Sequence, residues 1–255
     1  MHDKIIQALK ELEKEKQCRI LFAAESGSRA WGFASPDSDY DIRAIYVKPE
    51  SWYWDIAEKT RDTIEAQLPG DLDISAWELR KTLRLFDKCN PSLNEWLGSP
   101  IIYLADEVFF ARLKGLVPEF FNPIRAGHHY LSLAENAWHT IDGDGKIALK
   151  KLFYALRGVF CAMWSAEFKT MPPTEFDRLL IPELLPDEIS LLIRQLKVRK
   201  QQAGEKAVIP LPTAIRDFYH IKMEQIRQRL AVLEYRHPDN AALTELLRHF
   251  VKKYS

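Results

Sequence analysis

Two aspartates separated by one residue are the feature of this chain best suited to do chemistry. Asp39 and Asp41 lie at the start of a stretch, 40–47, whose apolar residues predict a strand. Side chains alternate faces along a strand, so both carboxylates point the same way, with their Cβ atoms about 6–7 Å apart. Carboxylates that close repel one another unless a cation lies between them. Because Mg²⁺ takes oxygen ligands and bridges to phosphates, the pair predicts a site for Mg²⁺ or Mn²⁺.

A glycine–serine pair precedes the aspartates. Gly27 and Ser28 follow an apolar run, 19–25, that predicts a buried strand. Glycine lets the backbone approach a ligand closely, so amide groups and the Ser28 hydroxyl can reach a phosphate. A phosphate cradle followed by a metal-binding carboxylate pair is the layout of a nucleotidyl-transfer site.

A third carboxylate is needed if two metal ions take part, because it completes the coordination of one ion and helps to deprotonate the attacking hydroxyl. Asp73 is preferred, because it lies in a third apparent strand, 72–77, between the apolar Leu72 and Ile74. Asp71 is the alternative, two positions earlier and on the same face if the strand extends that far. We therefore predict that Asp39, Asp41 and Asp73 bind metal and carry catalysis.

Cationic side chains flank this motif. Arg29 follows the glycine–serine pair, and Arg43 is one alternation beyond Asp41 on the same face of the strand. A guanidinium there can steady the carboxylates or contact a phosphate, although a surface ion pair has the same signature. We assign both arginines to nucleotide binding.

A second basic region lies in a predicted helix, 145–169. Lys146, Lys150, Tyr154 and Arg157 recur at helical spacing on one face. Such a face suits phosphates and a stacked base, but it is also typical of a solvated helix surface. By contrast, the aromatic cluster at 52–54 is more typical of a core or a domain seam than of base stacking.

Composition limits the classes of function. The chain has 255 residues, with 36 basic and 36 acidic side chains, so its formal net charge is zero. A protein that coats long nucleic acids is usually basic, so the balance favours a small or local acceptor. Three dispersed cysteines without a CxxC motif are typical of a reducing compartment. With no apolar signal region or membrane-spanning run, we expect a cytoplasmic protein that has no membrane partner.

The periodicities predict an α+β fold in two parts. Residues 1–105 form a nucleotidyltransferase-type domain with a small mixed sheet, and residues 106–255 form an all-helical domain. The predicted elements of the first part are strands at 19–25, 40–47 and 72–77 and helices at 3–16, 79–90 and 92–97. The predicted helices of the second part are 106–115, 124–141, 145–169, 187–202, 213–235 and 239–253.

These motifs resemble the G-S…D-x-D signature of the DNA polymerase β nucleotidyltransferase superfamily. A longer likeness is to one of its branches, the RlaP-type predicted nucleotidyltransferases. The segments that carry it are Glu25–Gly32, Ser38–Arg43, Trp77–Lys81, Asn90–Ser92, Glu95–Pro100, Tyr154–Arg157 and Pro172–Pro173. The resemblance implies a polymerase-β-like N-terminal domain. It also implies a third acid on a strand shortly before Trp77–Lys81, which Asp73 fits, and supports a binding role for Lys150, Tyr154 and Arg157.

The resemblance further implies an enzyme that moves a nucleoside monophosphate from a nucleoside triphosphate to a hydroxyl, with an RNA end in a repair setting as the acceptor. Alternative acceptors are a small molecule such as an aminoglycoside, or a protein hydroxyl as in antitoxin-like members. A non-catalytic nucleotide-binding module is a third reading, against which the intact Gly27-Ser28 and Asp39/Asp41 pairs argue.

Overall fold

The fold consists of two units with separate cores. The computed structural model describes residues 1–56, 62–204 and 207–254. The first unit comprises residues 1–30, 39–120 and 237–255, and the second comprises 31–38 and 121–236. These units differ from the boundary predicted at residue 105 in two ways. Residues 106–120 and the C-terminal helix pack with the N-terminal sheet, and a short segment after Ala30 packs with the helices.

A five-stranded mixed sheet forms the centre of the first unit. Its strands are β1 (Arg19–Glu25), β2 (Tyr40–Val47), β3 (Thr63–Leu68), β4 (Leu72–Glu78) and β5 (Ile102–Ala105). The order across the sheet is β3-β4-β2-β1-β5, in which β2 and β4 are parallel and the other neighbours are antiparallel. The structure therefore has the mixed sheet that the sequence predicted.

Two edge strands were not predicted. β3 pairs with β4 through a tight turn in which Gly70 and Asp71 have positive φ angles of 90° and 56°. The residues of β3 and β5 are mostly exposed or half-buried. Edge strands of this kind lack the continuous apolar run that identified β1 and β2.

Twelve α-helices account for most of the remaining described residues. They are α1 (His2–Lys16), α2 (Gly27–Trp31), α3 (Glu50–Trp54), α4 (Leu79–Asp87), α5 (Pro91–Leu97), α6 (Glu107–Gly115), α7 (Val117–Phe120), α8 (Pro123–Trp138), α9 (Leu149–Phe168), α10 (Asp187–Gln202), α11 (Thr213–Ala231) and α12 (Ala241–Lys253). Among the helices of the described ranges, none combines the length and the apolar character needed to cross a membrane.

Helices cover both faces of the sheet. α1 buries Ile5, Leu9 and Leu12 against one face, as its apolar stripe predicts. Side chains of α4, α5, α6 and α12 form the core on the other face. α5 begins at an Asn-Pro step, where the Asn90 side chain accepts a hydrogen bond from the Leu93 amide (3.1 Å).

One carboxylate ties the C-terminal helix to this unit. Asp106 caps α6 through the Phe109 amide (3.0 Å), and it accepts hydrogen bonds from Lys253 Nζ and the Tyr254 hydroxyl (both 2.6 Å). Burial alone would raise the pKa of Asp106, but these three donors hold it at about 2. A contact between residues 147 positions apart is invisible to periodicity, which explains the shifted boundary.

The aromatic cluster at 52–54 lies on α3, and of the two predicted settings, a core or a domain seam, the core does not hold for Trp54. The Trp54 side chain is 75% exposed, whereas Trp52 and Tyr53 are half-buried. α3 is a single short turn after β2 with no buried residue, so it cannot enclose all three rings.

The second unit is built around α9. Gly158 lets α8 approach closely, since a Cβ atom there would lie 2.8 Å from the Tyr130 carbonyl oxygen. A short antiparallel pair of strands, β6 (Lys146–Ala148) and β7 (Val208–Pro210), also lies in this unit and was not predicted. Consequently α9 begins at Leu149 rather than at 145, and Lys146 lies on a strand instead of the helix.

Residues 31–38, which follow Ser28 and precede Asp39 in the chain, belong to the second unit. Phe33 packs on Phe153 and Phe176, with ring centroids 5.3 and 5.5 Å apart. Lys200 is buried, and its ammonium donates hydrogen bonds to the Phe33 carbonyl (2.9 Å) and the Ser35 hydroxyl (3.0 Å). Aromatic packing of Phe33 and hydrogen bonds from Lys200 therefore both hold this segment.

Candidate active site

The parallel register of β2 and β4 brings two predicted site residues together. Asp41 lies directly opposite Asp73. Arg43 joins them, because its Nη2 donates to Asp41 Oδ1 (3.0 Å) and its Nη1 donates to Asp73 Oδ2 (2.8 Å). The side chains of Arg43, Asp41 and Asp73 are 20%, 29% and 34% exposed. One guanidinium is thus shared by two carboxylates that remain open to solvent.

Electrostatics accounts for this arrangement. Neighbouring strands lie about 4.8 Å apart, so carboxylates at paired positions are held close by the backbone itself. Two unit charges at roughly 5 Å repel by about 3 kcal/mol at an effective dielectric constant near 20, and by less where water screens them. Arg43 is two residues from Asp41 on the same face and offsets that repulsion. In this structure the positive charge between Asp41 and Asp73 is the protein's own guanidinium, and metal binding by Asp39, Asp41 and Asp73 stays a prediction.

The other two aspartates that were considered lie outside this cluster. Asp39 is exposed immediately before β2, and its carbonyl accepts a hydrogen bond from Arg29 Nε (3.0 Å). The Arg29 guanidinium lies 3.7 Å from the centre of the Tyr40 ring. Asp71 is exposed in the β3–β4 turn, and its carbonyl accepts from the Tyr40 amide (2.7 Å). Asp73, and not Asp71, therefore shares a cation with Asp41.

The site fits a divalent ion in its donor chemistry but not in the number of ligands. Asp41 and Asp73 offer carboxylate oxygens, which hard cations prefer, at a place where a positive charge already lies. Across residues 1–56, 62–204 and 207–254, no three histidine, cysteine, aspartate or glutamate side chains form a group arranged to hold a metal. The predicted convergence of Asp39 with Asp41 and Asp73 is absent from this arrangement.

Gly27 makes room for the Asp41 carboxylate. Its φ angle is +60°, and a Cβ atom built there would lie 2.2 Å from Asp41 Oδ2. Asp41 therefore packs directly against the Gly27 backbone, which adds a steric reason for this glycine to the phosphate cradle that the sequence predicts. Ser28 is buried beside it, in the first turn of the short helix α2.

A buried glutamate that the sequence analysis did not assign holds the backbone of Asp41. Glu25 is 1% exposed, and it accepts hydrogen bonds from the Asp41 amide (2.8 Å) and the Tyr103 hydroxyl (2.5 Å). Burial raises the pKa of Glu25 above its ordinary 4.5, although both hydrogen bonds oppose the shift. An acid at the end of the otherwise apolar run Ile20–Ala24 was the available signal.

The second predicted binding region packs within the helical unit. The Arg157 guanidinium lies 4.3 Å from the centre of the Trp31 ring, and the Tyr154 ring meets that of Trp31 edge-on at 5.0 Å. Arg157 is 4% exposed, whereas Lys150 and Tyr154 are half-buried. Arg157 is therefore part of a packed aromatic cluster, and nucleotide binding by these three residues stays a prediction.

Comparisons with known proteins show the family to which the chain belongs. Residues 1–249 match the model of a family described as RlaP, the RNA repair pathway DNA polymerase beta family. The chain is 38% identical over 255 residues to the "Uncharacterized protein YcgL" of Bacillus subtilis (strain 168), covering 99% of this chain and 97% of that protein. A crystal structure of a nucleotidyltransferase-like protein from Exiguobacterium sibiricum 255-15 matches 97% of this chain and 77% of its own, at 12% identity. The TM-score of this match is 0.30.

The family and the mixed α/β fold define a protein of the nucleotidyltransferase type. The chain belongs to the RNA repair pathway DNA polymerase beta family, and this membership indicates a function in RNA repair.

Gly27→Ala should destabilise the fold more than Gly70→Ala does. Both positions have positive φ, so both variants carry the backbone penalty of about 1–2 kcal/mol. Only at Gly27 does the added methyl group meet a neighbour, because nothing lies within 4 Å of a Cβ at Gly70. We expect a further loss of about 1–3 kcal/mol in the free energy of unfolding, measured by urea denaturation. Equal losses in the two variants would show that Asp41 does not depend on this contact.

Glu25→Gln should change how stability depends on pH. The folded-state pKa of Glu25 is raised, so ionising it costs stability once the pH exceeds about 4.5. The free energy of unfolding of the native protein should therefore fall relative to that of the variant as the pH rises. The relative slope has a limit of about 1.4 kcal/mol per pH unit between the unfolded- and folded-state pKa values. Denaturation curves at several pH values, with the exposed Glu183→Gln as control, measure this, and parallel curves would contradict it.

Proposed function

We propose that a hydroxyl at an RNA end attacks the α-phosphorus of a nucleoside triphosphate, so that the nucleoside monophosphate is transferred to the RNA and pyrophosphate is released. The observation that carries the proposal is the Asp41–Arg43–Asp73 cluster, in which two open carboxylates share one cation. Two carboxylates and one guanidinium leave the cluster with one excess negative charge. The second acid, placed opposite the first, gives a site that is ready for a further positive charge.

Asp41 and Asp73 are the residues that would hold Mg²⁺ or Mn²⁺, and Asp39, which lies outside their cluster in this structure, is proposed to join them when the ion binds. When bound, such an ion supplies charge neutralisation at the α-phosphate. Without an ion, Arg43 offsets the repulsion between the two carboxylates. Once released from them, its planar guanidinium suits bidentate contact with a phosphate group.

The remaining groups of the site orient the substrates. Gly27, Ser28 and Arg29 are proposed to bind the triphosphate, because Gly27 packs against Asp41 and the other two follow Gly27 directly in the chain. Asp73, at 34% exposure, is open to an entering hydroxyl and is proposed to accept its proton. Glu25 acts indirectly, since its hydrogen bond to the Asp41 amide fixes the backbone from which that carboxylate projects.

In the helical unit, Arg157 is proposed to act through Trp31. The Arg157 guanidinium stacks on the Trp31 ring. Because Trp31 lies three residues after Ser28, this contact stabilises the start of the segment that leads to Asp39. Lys150 and Tyr154 are less buried and are proposed to contact the nucleotide directly.

Asp73→Asn should lower nucleotidyl transfer on the order of 100-fold or more, whereas Asp71→Asn should leave it nearly unchanged. The variants make the same chemical change two residues apart, and only Asp73 shares the Arg43 guanidinium with Asp41. Transfer is measured with each α-labelled nucleoside triphosphate, with Mg²⁺, Mn²⁺ or a chelator. The acceptors are RNA with a free 3′ hydroxyl and the same RNA with a 3′ phosphate.

Loss of transfer in Asp71→Asn but not in Asp73→Asn would overturn the assignment of the third carboxylate. Labelling of an aminoglycoside or a protein in place of RNA would overturn the acceptor. Transfer that persists in excess chelator would overturn the role proposed for the metal.

A further inference from the structure

A trough on the first unit lies apart from the Asp41–Asp73 cluster. It consists of three depressions in series, with volumes of about 260, 370 and 710 Å³. Arg80 and Arg84 line both the first and the second depression, and Trp52 lines both the second and the third. Because neighbouring depressions share side chains, they form one elongated surface rather than three separate pockets.

Two guanidinium groups lie side by side in the middle of the trough. Arg80 and Arg84 are four residues apart on α4, so their side chains lie on the same face one turn apart. Within the described part of the chain, neither arginine forms an ion pair. The Arg80 guanidinium instead lies 4.9 Å from the centre of the Tyr53 ring. Two guanidinium groups are therefore available to an anionic ligand.

Most acids that line the same surface are already engaged. Asp62 forms an ion pair with Lys81, Glu78 accepts a hydrogen bond from the Tyr53 hydroxyl, and Asp87 lies 3.5 Å from His237 Nε2. Glu78 also accepts a hydrogen bond from the Lys81 amide as the cap of α4 (3.0 Å). The Lys81 ammonium offsets the charge of Asp62, and Glu78 is buried, so Arg80 and Arg84 can still contact an incoming phosphate.

Aromatic rings line the other end of the trough. Trp52 stands edge-on to Tyr53, with ring centroids 5.0 Å apart, and is itself only half-buried. Trp54 lines the third depression and is 75% exposed. Because the Trp54 ring is mostly exposed, it offers a face on which a base can stack.

We propose that this trough, lined by Trp52, Trp54, Arg80 and Arg84, binds a single-stranded segment of RNA. Stacking rings next to spaced cations are what a single strand requires, because its bases are unpaired and its phosphates recur along the chain. A duplex would hide its bases from both tryptophans. The neutral net charge of the protein agrees with a short, local contact rather than with coating of a long nucleic acid.

The position of the trough suits the acceptor strand, and this part of the inference rests on the proposed function. β4 joins the two sites, with Asp73 near its start and Glu78 at its end. Five residues of strand separate these positions, which is about 16 Å. A single strand of several nucleotides is long enough to span this distance.

RNA binding is tested without metal or nucleoside triphosphate, by fluorescence anisotropy of a short, unstructured, labelled RNA across about 50 to 200 mM salt. The first variant is the double substitution Arg80→Gln/Arg84→Gln. Its control is Lys10→Gln/Lys14→Gln, which removes the same charge from two exposed lysines, also four residues apart, on α1. The second variant is Trp54→Ala, with Val232→Ala as control, because Val232 is 76% exposed. Thermal unfolding confirms that all four variants fold.

Removing both arginines should reduce the slope of log affinity against log salt by about 1.4, since each phosphate contact with a single strand contributes about 0.7. Trp54→Ala should weaken binding by about 5- to 100-fold, and the controls should bind as the native protein does.

Three outcomes would contradict the proposal that the trough binds single-stranded RNA. They are an unchanged salt slope, equal effects in the control pair, and equally tight binding of duplex RNA. If the expected binding results are obtained but no transfer to RNA occurs, RNA binding by the trough is confirmed and the proposed function is wrong. If transfer to RNA occurs but the variants bind RNA as the native protein does, RNA binding by the trough is wrong and the proposed function stands.

Discussion

Two like charges at paired positions of neighbouring parallel strands are the constraint on which the site depends. The backbone holds Asp41 opposite Asp73, and neither can move away without breaking the sheet. Arg43 makes this arrangement tolerable by donating to both carboxylates. The surrounding features serve the same geometry. Gly27 leaves the space into which the Asp41 carboxylate packs, and Glu25 accepts the hydrogen bond of the Asp41 amide.

The helical unit contributes through the chain segment that joins the two halves of the motif. Residues 31–38 connect Ser28 to Asp39, and their contacts lie in the second unit. Lys200 holds the carbonyl of Phe33 and the hydroxyl of Ser35, while Arg157 stacks on Trp31. Ordering a loop costs about 1–2 kcal/mol per residue, so these contacts supply a stabilisation that the segment lacks by itself. The helices therefore hold the segment that connects Ser28 to Asp39 in the chain.

Sequence patterns predicted the elements whose signal is local. β1 and β2 have the predicted bounds, because continuous apolar runs identify buried strands, and α10 begins and ends as its flanking prolines and polar residues indicate. The edge strands β3 and β5 lack such a run. The attachment of α12 depends on Asp106, which meets Lys253 only through the tertiary fold.

The same distinction applies to the site. The spacing of Asp41 and Arg43 within one strand predicted their proximity, and the apolar neighbours of Asp73 favoured it over Asp71. That Asp73 lies opposite Asp41 depends on the register of two strands separated by 24 residues of chain, which no local pattern encodes. The roles of Glu25 and Lys200 were missed for a related reason. A buried charged residue can be recognised only when its partners are known, and Lys200 binds a segment 165 positions away.

The central claim is that Asp41 and Asp73 tolerate each other only because they share Arg43. A double-mutant cycle between Arg43→Gln and Asp73→Asn, read out by urea denaturation without divalent ions, tests it most directly. Arg43→Gln alone should lower the free energy of unfolding by about 1–2 kcal/mol, because it leaves the two carboxylates facing each other, partly screened by water. In the Asp73→Asn background, the same substitution should cost at least about 0.5 kcal/mol less, since one of the repelling charges is gone. Strictly additive effects would contradict the claim and reduce Arg43 to an ordinary surface arginine.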